Sequence, residues 1–584
     1  MLYYVVEPER WGIDSNGQNA VQTTKGFNDA LEYAHSESIS MVFIPKGLYL
    51  IDAVNPNAPR PEYYAGIMPK SNSIIMIHPE AVFKVKPNSS WGYACFYIGK
   101  EVENLVIYGG AIIGDRDEHD YSVQVKNRES HEWGYGIHVR GAKDVVIDNV
   151  TVKDCTGDNI WVSGDGMMNW EGSTFIPSRN IHVTNVKLDR ARRNNIATDG
   201  CLGLIVEKSM ITNASGDANP RLGLDIEGFA ENGIKYHHPY EVIVRNNTFR
   251  GNTGGCMSAE ASGKIIIEGN FFDDRACYGY GTDVLISNNV FSDPTQTKTG
   301  INSHRVSSTE NSNNVVISNN VFKGFKTAID ARGKNITIEG NSIAEVKTKG
   351  IYVYLTENVT VNGNEVFDSP TSVPFKVHLA KNIMIANNHT SKIDNIAMEI
   401  IDSESVEAIG NRLDDVKIGF KLQRSEALMN NNYINLNRRA GSQGFNYGNS
   451  CIVFIGTNQI ASPVDSGIFG FFDKSNTTTS TIVNNFITDV QGNSAISLYY
   501  GKNHLIQGNT IIYNRSSSGG AGVYLIGCDG SKILRNHVES ISDYNIFNAY
   551  RSFDATNTKI HLNTYNSGNI YKNDTDIESN NIKI

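Results

Sequence analysis

Short apolar runs broken by Gly or Asn recur along most of this chain. The copies VVISNNVF, ITIEGNSI, VTVNGNEV, IMIANNHT, VEAIGNRL and ALMNNNYI bring Asn320, Asn341, Asn364, Asn388, Asn411 and Asn432 to equivalent positions, in steps of 21, 23, 24, 23 and 21 residues. Earlier copies end at Asn149, Asn247, Asn270 and Asn289, and later ones at Asn485, Asn509 and Asn536. Each repeat holds two or three β-branched runs that are too short for helices and too regular for loops. A coil of about 22 residues carrying three short strands is the unit of a parallel β-helix. Inward side chains of successive coils then stack into one core, and outward ones form columns about 4.8 Å apart. The recurring Asn suits a left-handed corner and can hydrogen-bond its copy in the next coil, so it reports fold rather than chemistry. The pattern predicts an all-β, single-stranded right-handed parallel β-helix running without interruption from about residue 70 to about residue 570.

The first hundred residues differ. Lys25 to His35 (KGFNDALEYAH) has helical spacing and precedes the strand MVFIPKGLYLI, as expected of a helix that caps the open end of a solenoid. The expected organisation is a cap and first strands over 1–70, a catalytic stretch with loop insertions over 71–300, and further coils over 301–584.

A chain of 584 residues is long enough for several domains, but 53 Gly against 15 Pro and a heavy load of Asn favour many short strands and turns instead. The net charge of −10 is diffuse and of the wrong sign for a nucleic-acid or anionic-membrane binder. Cys95, Cys155, Cys201, Cys256, Cys277, Cys451 and Cys528 are odd in number and lack CxxC spacing, which predicts reduced, buried thiols. The start MLYYVVEPERWG has neither a basic head nor an apolar h-region, and no segment reaches the ~18 apolar residues of a membrane span. The expectation is folding in a cytoplasm, with delivery by something other than a signal peptide.

Candidate chemistry clusters between 110 and 300, where three segments break the plain repeat. Aligning GIHVRG, NIWVSG, NIATDG, GLDIEG and MSAEAS as one strand of five coils puts Ile137, Ile160, Ile196 and Leu224 inside. One outward column then reads Arg140, Ser163, Asp199, Glu227, Glu260, and its neighbour reads His138, Trp161, Ala197, Asp225, Ser258. A slip of one residue would reverse the facing. Stacked carboxylates raise one another's pKa, a strain that acid–base catalysis uses by keeping one carboxyl protonated while its neighbour ionises. Asp199, Asp225 and Glu227 are therefore the catalytic candidates, with a metal site or a solvated acidic face as the alternatives. Asp158, in CTGDNI, sits where an acid serves either catalysis or a turn.

The excursion from Asp115 to Trp133 carries Asp115, Asp117, His119, Asp120, His131 and Glu132, and is read as a lid whose His131, Glu132 and Trp133 meet substrate. It has no EF-hand or HExxH spacing, so no cofactor is expected, with a divalent cation such as Ca²⁺ as the minority reading. Arg192, Arg193 and Arg221 can fork onto anionic groups of a polymer or pair with the carboxylates. His138, Arg140, Trp161 and Glu260 complete the expected binding set, and Trp170, Tyr278 and Tyr280 join Trp161 as candidate stacking faces or core.

The run WGIDSNGQNAVQTTKGFNDALEYA…VFIPKGLYLI resembles the first segment of the pectate-lyase-like β-helix superfamily, which includes polygalacturonase-type hydrolases and phage tailspikes. With GDRDEHDY, HEWGYGI and LGLDIEG, the chain is similar to tail and pre-neck appendage proteins of phages and prophages of Bacillus and related Gram-positive bacteria. That resemblance implies a homotrimeric virion-tail protein, assembled with other tail proteins, that binds and hydrolyses a bacterial surface polymer, with wall teichoic acid the favoured substrate. The bond is left open between a glycosidic link and a glycerol phosphodiester. The rival readings are a non-catalytic receptor-binding spike and a polysaccharide lyase. The lyase is disfavoured because β-elimination needs a base near the α-proton and the column supplies acids.

Overall fold

A computed structural model describes the chain except for residues 1–2, 55–64, 167–174, 232–233, 237–238, 261, 304–311, 449, 476–477, 516–518, 543–545 and 547. Two compact units are present: Met1–Ser292 with Asn302–Asn313, and Asp293–Ile301 with Asn314–Ile584.

Each unit is a right-handed parallel β-helix built by the same rule: a strand pairs with its copy one coil later. In the first unit one row runs from Glu103–Tyr108 through Lys143–Asp148, Ser178–Thr184, Cys201–Glu207, Tyr240–Arg245, Gly263–Glu268 and Thr282–Ser287. Alternation along these strands sends every second side chain inward. Val145, Ile181, Leu204, Val242, Ile265 and Val284 thus form one buried column, with Ile147, Val183, Val206, Val244, Ile267 and Ile286 beside it. Burying each such side chain stabilises the fold by about 1.5–3 kcal/mol. The seven cysteines are free and buried. Among the described residues no helix is long and apolar enough to cross a membrane.

The N-terminal helix spans Ala20–Ser36, beginning five residues before the expected start. Phe27, Ala30, Leu31 and Ala34 form its buried stripe. Phe27 packs edge-on to Tyr49 at 4.8 Å and against Phe83 at 5.4 Å, which seats the helix on the first coils.

The Asn ladder is present, with one correction. Asn320, Asn341, Asn364, Asn388, Asn411, Asn432, Asn458, Asn485, Asn509 and Asn536 are buried in the second unit. The left-handed corner, however, is taken by the residue before each of them, such as Asn319, Gly340, Gly363 and Asn387. The division of labour is steric: the corner residue turns the chain, and its successor's amide points inward to bond the next coil. Asn149 is itself a corner, at φ 56°, and buried Val150 stands in the ladder position, so its assignment to the ladder was one residue out. The Asn364 side-chain oxygen accepts from Asn341 N at 3.0 Å and Nδ2 at 2.9 Å, and its own amide donates to Asn388 Oδ1 at 3.0 Å and Ile338 O at 2.9 Å. Asn364→Ala strands two buried donors and is expected to cost about 2 kcal/mol, read as a lower denaturant midpoint with unchanged m-value. An unchanged midpoint would mean that the ladder contributes no net stability.

Candidate active site

The site rests on six successive strands: Trp133–Arg140, Ile160–Ser163, Ile196–Thr198, Leu222–Glu227, Gly255–Glu260 and Ala276–Gly279. Their register pairs Ile137, Ile160, Ile196, Leu224, Met257 and Ala276 as an inward column, each 0% exposed. The adjacent outward column is His138, Trp161, Ala197, Asp225, Ser258, Cys277. Two residues further on, Arg140 pairs with Ser163 and Glu227 with Glu260. Asp199 follows Thr198, which pairs with Ile226, so it faces Glu227 across the ladder at about one strand spacing, ~4.8 Å.

The carboxyls on this face differ sharply in environment. Asp225 is only 6% exposed, and burial, reinforced by Glu227, raises its pKa to about 7. Asp199 is pushed well above the usual carboxylate range by burial and then by Glu227, and its Oδ1 has no hydrogen-bond partner among the described residues. Glu227 projects outward with 59% of its side chain exposed. Ser258 Oγ donates to Glu260 Oε1 at 3.5 Å. Asp225, Glu227, Glu260, Arg193 and Arg275 line one cleft of about 280 Å³, floored by Ser258 and Cys277. Asp199 stands outside its walls, one coil back from Glu227, so the expected trio is divided between the cleft and its margin.

Arg193 ties the carboxyls together. Its Nη1 donates to Asp158 Oδ2 at 3.0 Å and its Nε to the Asn219 carbonyl at 3.2 Å, while Glu132 lies at 3.6 Å and Glu227 at 3.9 Å. Burial works against this guanidinium, yet Asp158 and Asp225 hold its pKa above the ordinary arginine value. Asp158 is fully buried, and its other oxygen accepts from Asn194 N at 2.8 Å. Burial raises Asp158 to about pKa 6, against the pull of Arg193. With both oxygens engaged inside the coil, Asp158 positions Arg193. Asn194 in turn donates from Nδ2 to Asp225 Oδ2 at 3.2 Å and accepts from Leu222 N at 2.9 Å, fixing the Asp225 strand.

The Asp115–Trp133 excursion is held by a buried relay. Tyr93 OH donates to Asp115, His119 Nδ1 lies 2.8 Å from Asp115 Oδ2, and His119 Nε2 lies 2.9 Å from His131 Nδ1. The Val123 carbonyl can only accept, so His131 Nε2, 2.6 Å away, carries the proton. His131 Nδ1 is then an acceptor while the ring is neutral, which suits a ring whose pKa burial lowers. Arg192 clamps the same segment through Ser130 O at 2.8 Å and the Tyr121 ring at 4.3 Å. Only the end of the excursion reaches the cleft cluster, where Glu132 approaches Arg193.

Several expected substrate contacts lie elsewhere. His131 is 0% exposed and belongs to the relay. His138 is also 0% exposed, stacked on Trp161 at 4.3 Å with Nε2 3.0 Å from Ser163 Oγ, so aromatic cover removes it from solvent. Arg140 is 6% exposed and paired with Asp165 at 3.0 Å. Tyr278 is core. Arg221 donates Nη1 to Gly216 O at 3.2 Å. Trp170 lies outside the described residues. Trp133 and Trp161 are half-buried beside Tyr135, and Arg128 sits 4.3 Å over Trp133, forming a partly open aromatic patch next to Glu132. Sequence reasoning missed Arg275 and Asn194. Arg275 lies between two short repeat strands, Phe271–Phe272 and Ala276–Gly279, at a position the period does not single out, and Asn194 looks like any other Asn of this Asn-rich chain. Among the described residues no group of three or more His, Cys, Asp or Glu side chains is arranged to hold a metal ion.

The family described as "Right handed beta helix region" matches residues 110–291, 232–375 and 306–460. The SPbeta prophage-derived uncharacterized protein YorA of Bacillus subtilis (strain 168) is 39% identical over 573 residues, 97% of this chain and 96% of that one. The uncharacterized protein YclG of the same organism is 37% identical over 400 residues, 66% of this chain and 67% of that one. Among solved structures, the pre-mature bacteriophage phi29 gene product 12 aligns over 95% of this chain and 73% of its own at 13% identity and a TM-score of 0.41. The Dettilon tailspike protein covers 78% and 66% at 14% identity and a TM-score of 0.35. At such scores these two likenesses carry no inference about chemistry.

Proposed function

We propose that this chain, which belongs to the right-handed β-helix family, is a phage tail-associated depolymerase that hydrolyses a bacterial surface polymer, wall teichoic acid or a surface polysaccharide. The observation that carries the reading is the pairing of Asp225, its pKa raised to about 7, with exposed Glu227 two residues along the same strand face. A carboxyl that keeps its proton near neutrality can protonate a leaving oxygen, and an exposed carboxylate beside it can activate water or attack directly. Separations of about 5 Å between coils and about 7 Å along the strand fit either stereochemical course of glycoside hydrolysis. Arg193 and Arg275, in the same cleft, suit a substrate with phosphate or carboxylate groups. The prophage-derived relative supports a virion-tail setting, in which other tail proteins and two further copies of the chain would be its partners.

The test is incubation with purified Bacillus walls, assaying released reducing sugar and organic phosphate separately. Release of either supports hydrolysis and identifies the bond. Tight binding with no release would replace the enzyme by a receptor-binding spike, and an unsaturated product would indicate a lyase. Because carboxyls and guanidinia supply the acid, base and anion site, turnover is expected to survive EDTA within about twofold. A loss restored by Ca²⁺ would assign the acids to a cation instead.

A further inference from the structure

We propose that the second unit carries a separate binding face for an acidic polysaccharide, formed by the outward columns of its strands between Ser466 and Tyr571. In four consecutive strands, Ser466–Phe471, Ser494–Tyr499, Ala521–Ile526 and Asn548–Phe553, one outward column reads Phe469, Ser497, Tyr524, Arg551, continued by Tyr571. The neighbouring column reads Phe471, Tyr499, Ile526, Phe553. Outward positions of a solvated sheet are ordinarily polar, yet eight of these nine are aromatic, aliphatic or Arg. Phe471 and Tyr571 are 49% and 46% exposed.

The rings form a connected strip. Tyr499 lies 5.7 Å from Phe469, 5.8 Å from Phe471 and 6.2 Å from Tyr524. Arg551 sits among three rings, 4.8 Å from Tyr524, 5.3 Å from Tyr571 and 5.5 Å from Phe553. Among the described residues no carboxylate pairs with it, and its buried Nε has no hydrogen-bond partner. Lys474 lies 5.6 Å over Tyr500 at the edge of the strip. A cation held by rings rather than by an acid keeps its charge available for an incoming anion.

These features select the occupant. A surface that repeats every coil, about 4.8 Å, suits a ligand that repeats as well. Aromatic faces take the apolar faces of sugar rings while tyrosine hydroxyls reach polar groups, and the guanidinium fork matches a carboxylate or phosphate bidentately. The face would hold polymer without cutting it, and the proposal does not depend on the hydrolytic reading of the first unit.

Affinity electrophoresis of the full chain through gels containing polygalacturonate, or dextran as the neutral control, tests it. The parent and Asp225→Asn are expected to be retarded alike by polygalacturonate and much less by dextran. Tyr524→Ala and Arg551→Gln should each weaken the retardation at least tenfold with unchanged melting. If Tyr524→Ala fails to fold, Arg551→Gln decides alone. Absence of retardation in the parent, or equal retardation of parent and Arg551→Gln, overturns the proposal. So does a variant that falls from an oligomer to the 64.4 kDa monomer, since a second copy would then occupy the face.

Discussion

Asp199→Asn, Asp225→Asn and Glu227→Gln are each expected to lower turnover on wall polymer by about a hundredfold or more while leaving the coil and polymer binding intact. The carboxamides keep size and one acceptor oxygen, so Asn194 retains a partner at position 225 and the strand retains its register. What they lose is proton transfer. Glu227 contributes to the raised pKa of both Asp199 and Asp225, so Glu227→Gln should also lower those two pKa values and shift the alkaline limb of the rate profile to lower pH. Combining Asp225→Asn with Glu227→Gln should cost little more than the worse single change, because residues acting as one unit are not additive. Measurement is by initial rates of sugar or phosphate release, with binding to intact walls assayed in parallel. Parent-like rates in all three variants would remove the acid–base reading. Loss in Asp225→Asn and Glu227→Gln alone would fit the position of Asp199 outside the cleft.

What the sequence made legible follows from the period of the coil. Apolar alternation fixes which residues stack, so the columns ending in Asp225–Ser258 and Glu227–Glu260 are readable from the sequence alone. The Asn spacing was readable for the same reason, although the pattern could not say which of two adjacent residues turns the corner. Facing outward, by contrast, is not the same as being accessible. His138 and Arg140 lie in outward columns, yet Trp161 and Tyr135 cover the one and Asp165 engages the other. His138 and Trp161 are register neighbours, so the period brings them together without saying that one ring will close over the other, and Asp165 reaches Arg140 from beyond the end of its strand, a contact outside the period. The Arg193 hub is illegible for the same reason: Glu132, Asp158, Asn219 and Glu227 come from four separate stretches of chain.

The same burial that equips Asp225 for catalysis should make it a stability liability at alkaline pH, and Asp225→Asn is expected to expose the trade. A carboxyl that ionises near 7 in the fold and near 3.8 when unfolded favours the native state while protonated. Its contribution is fully present below about pH 4 and is lost as pH rises through 7, by as much as about 4 kcal/mol at pH 8. Asp158, raised to about 6, works in the same direction over a narrower window, but it remains in both proteins and cancels in the comparison. The parent and Asp225→Asn should therefore unfold at similar denaturant midpoints near pH 4, and the variant should become progressively more stable between pH 5 and pH 8. Parent turnover should decline over the upper part of that range if Asp225 supplies the proton, so the pH that destabilises the fold also removes the acid. The measurement is a set of urea or guanidinium unfolding curves at half-unit pH intervals. A difference between the two proteins that stays constant from pH 4 to pH 8 would show that Asp225 titrates alike in the folded and unfolded chain, and would leave the cleft without its proton donor.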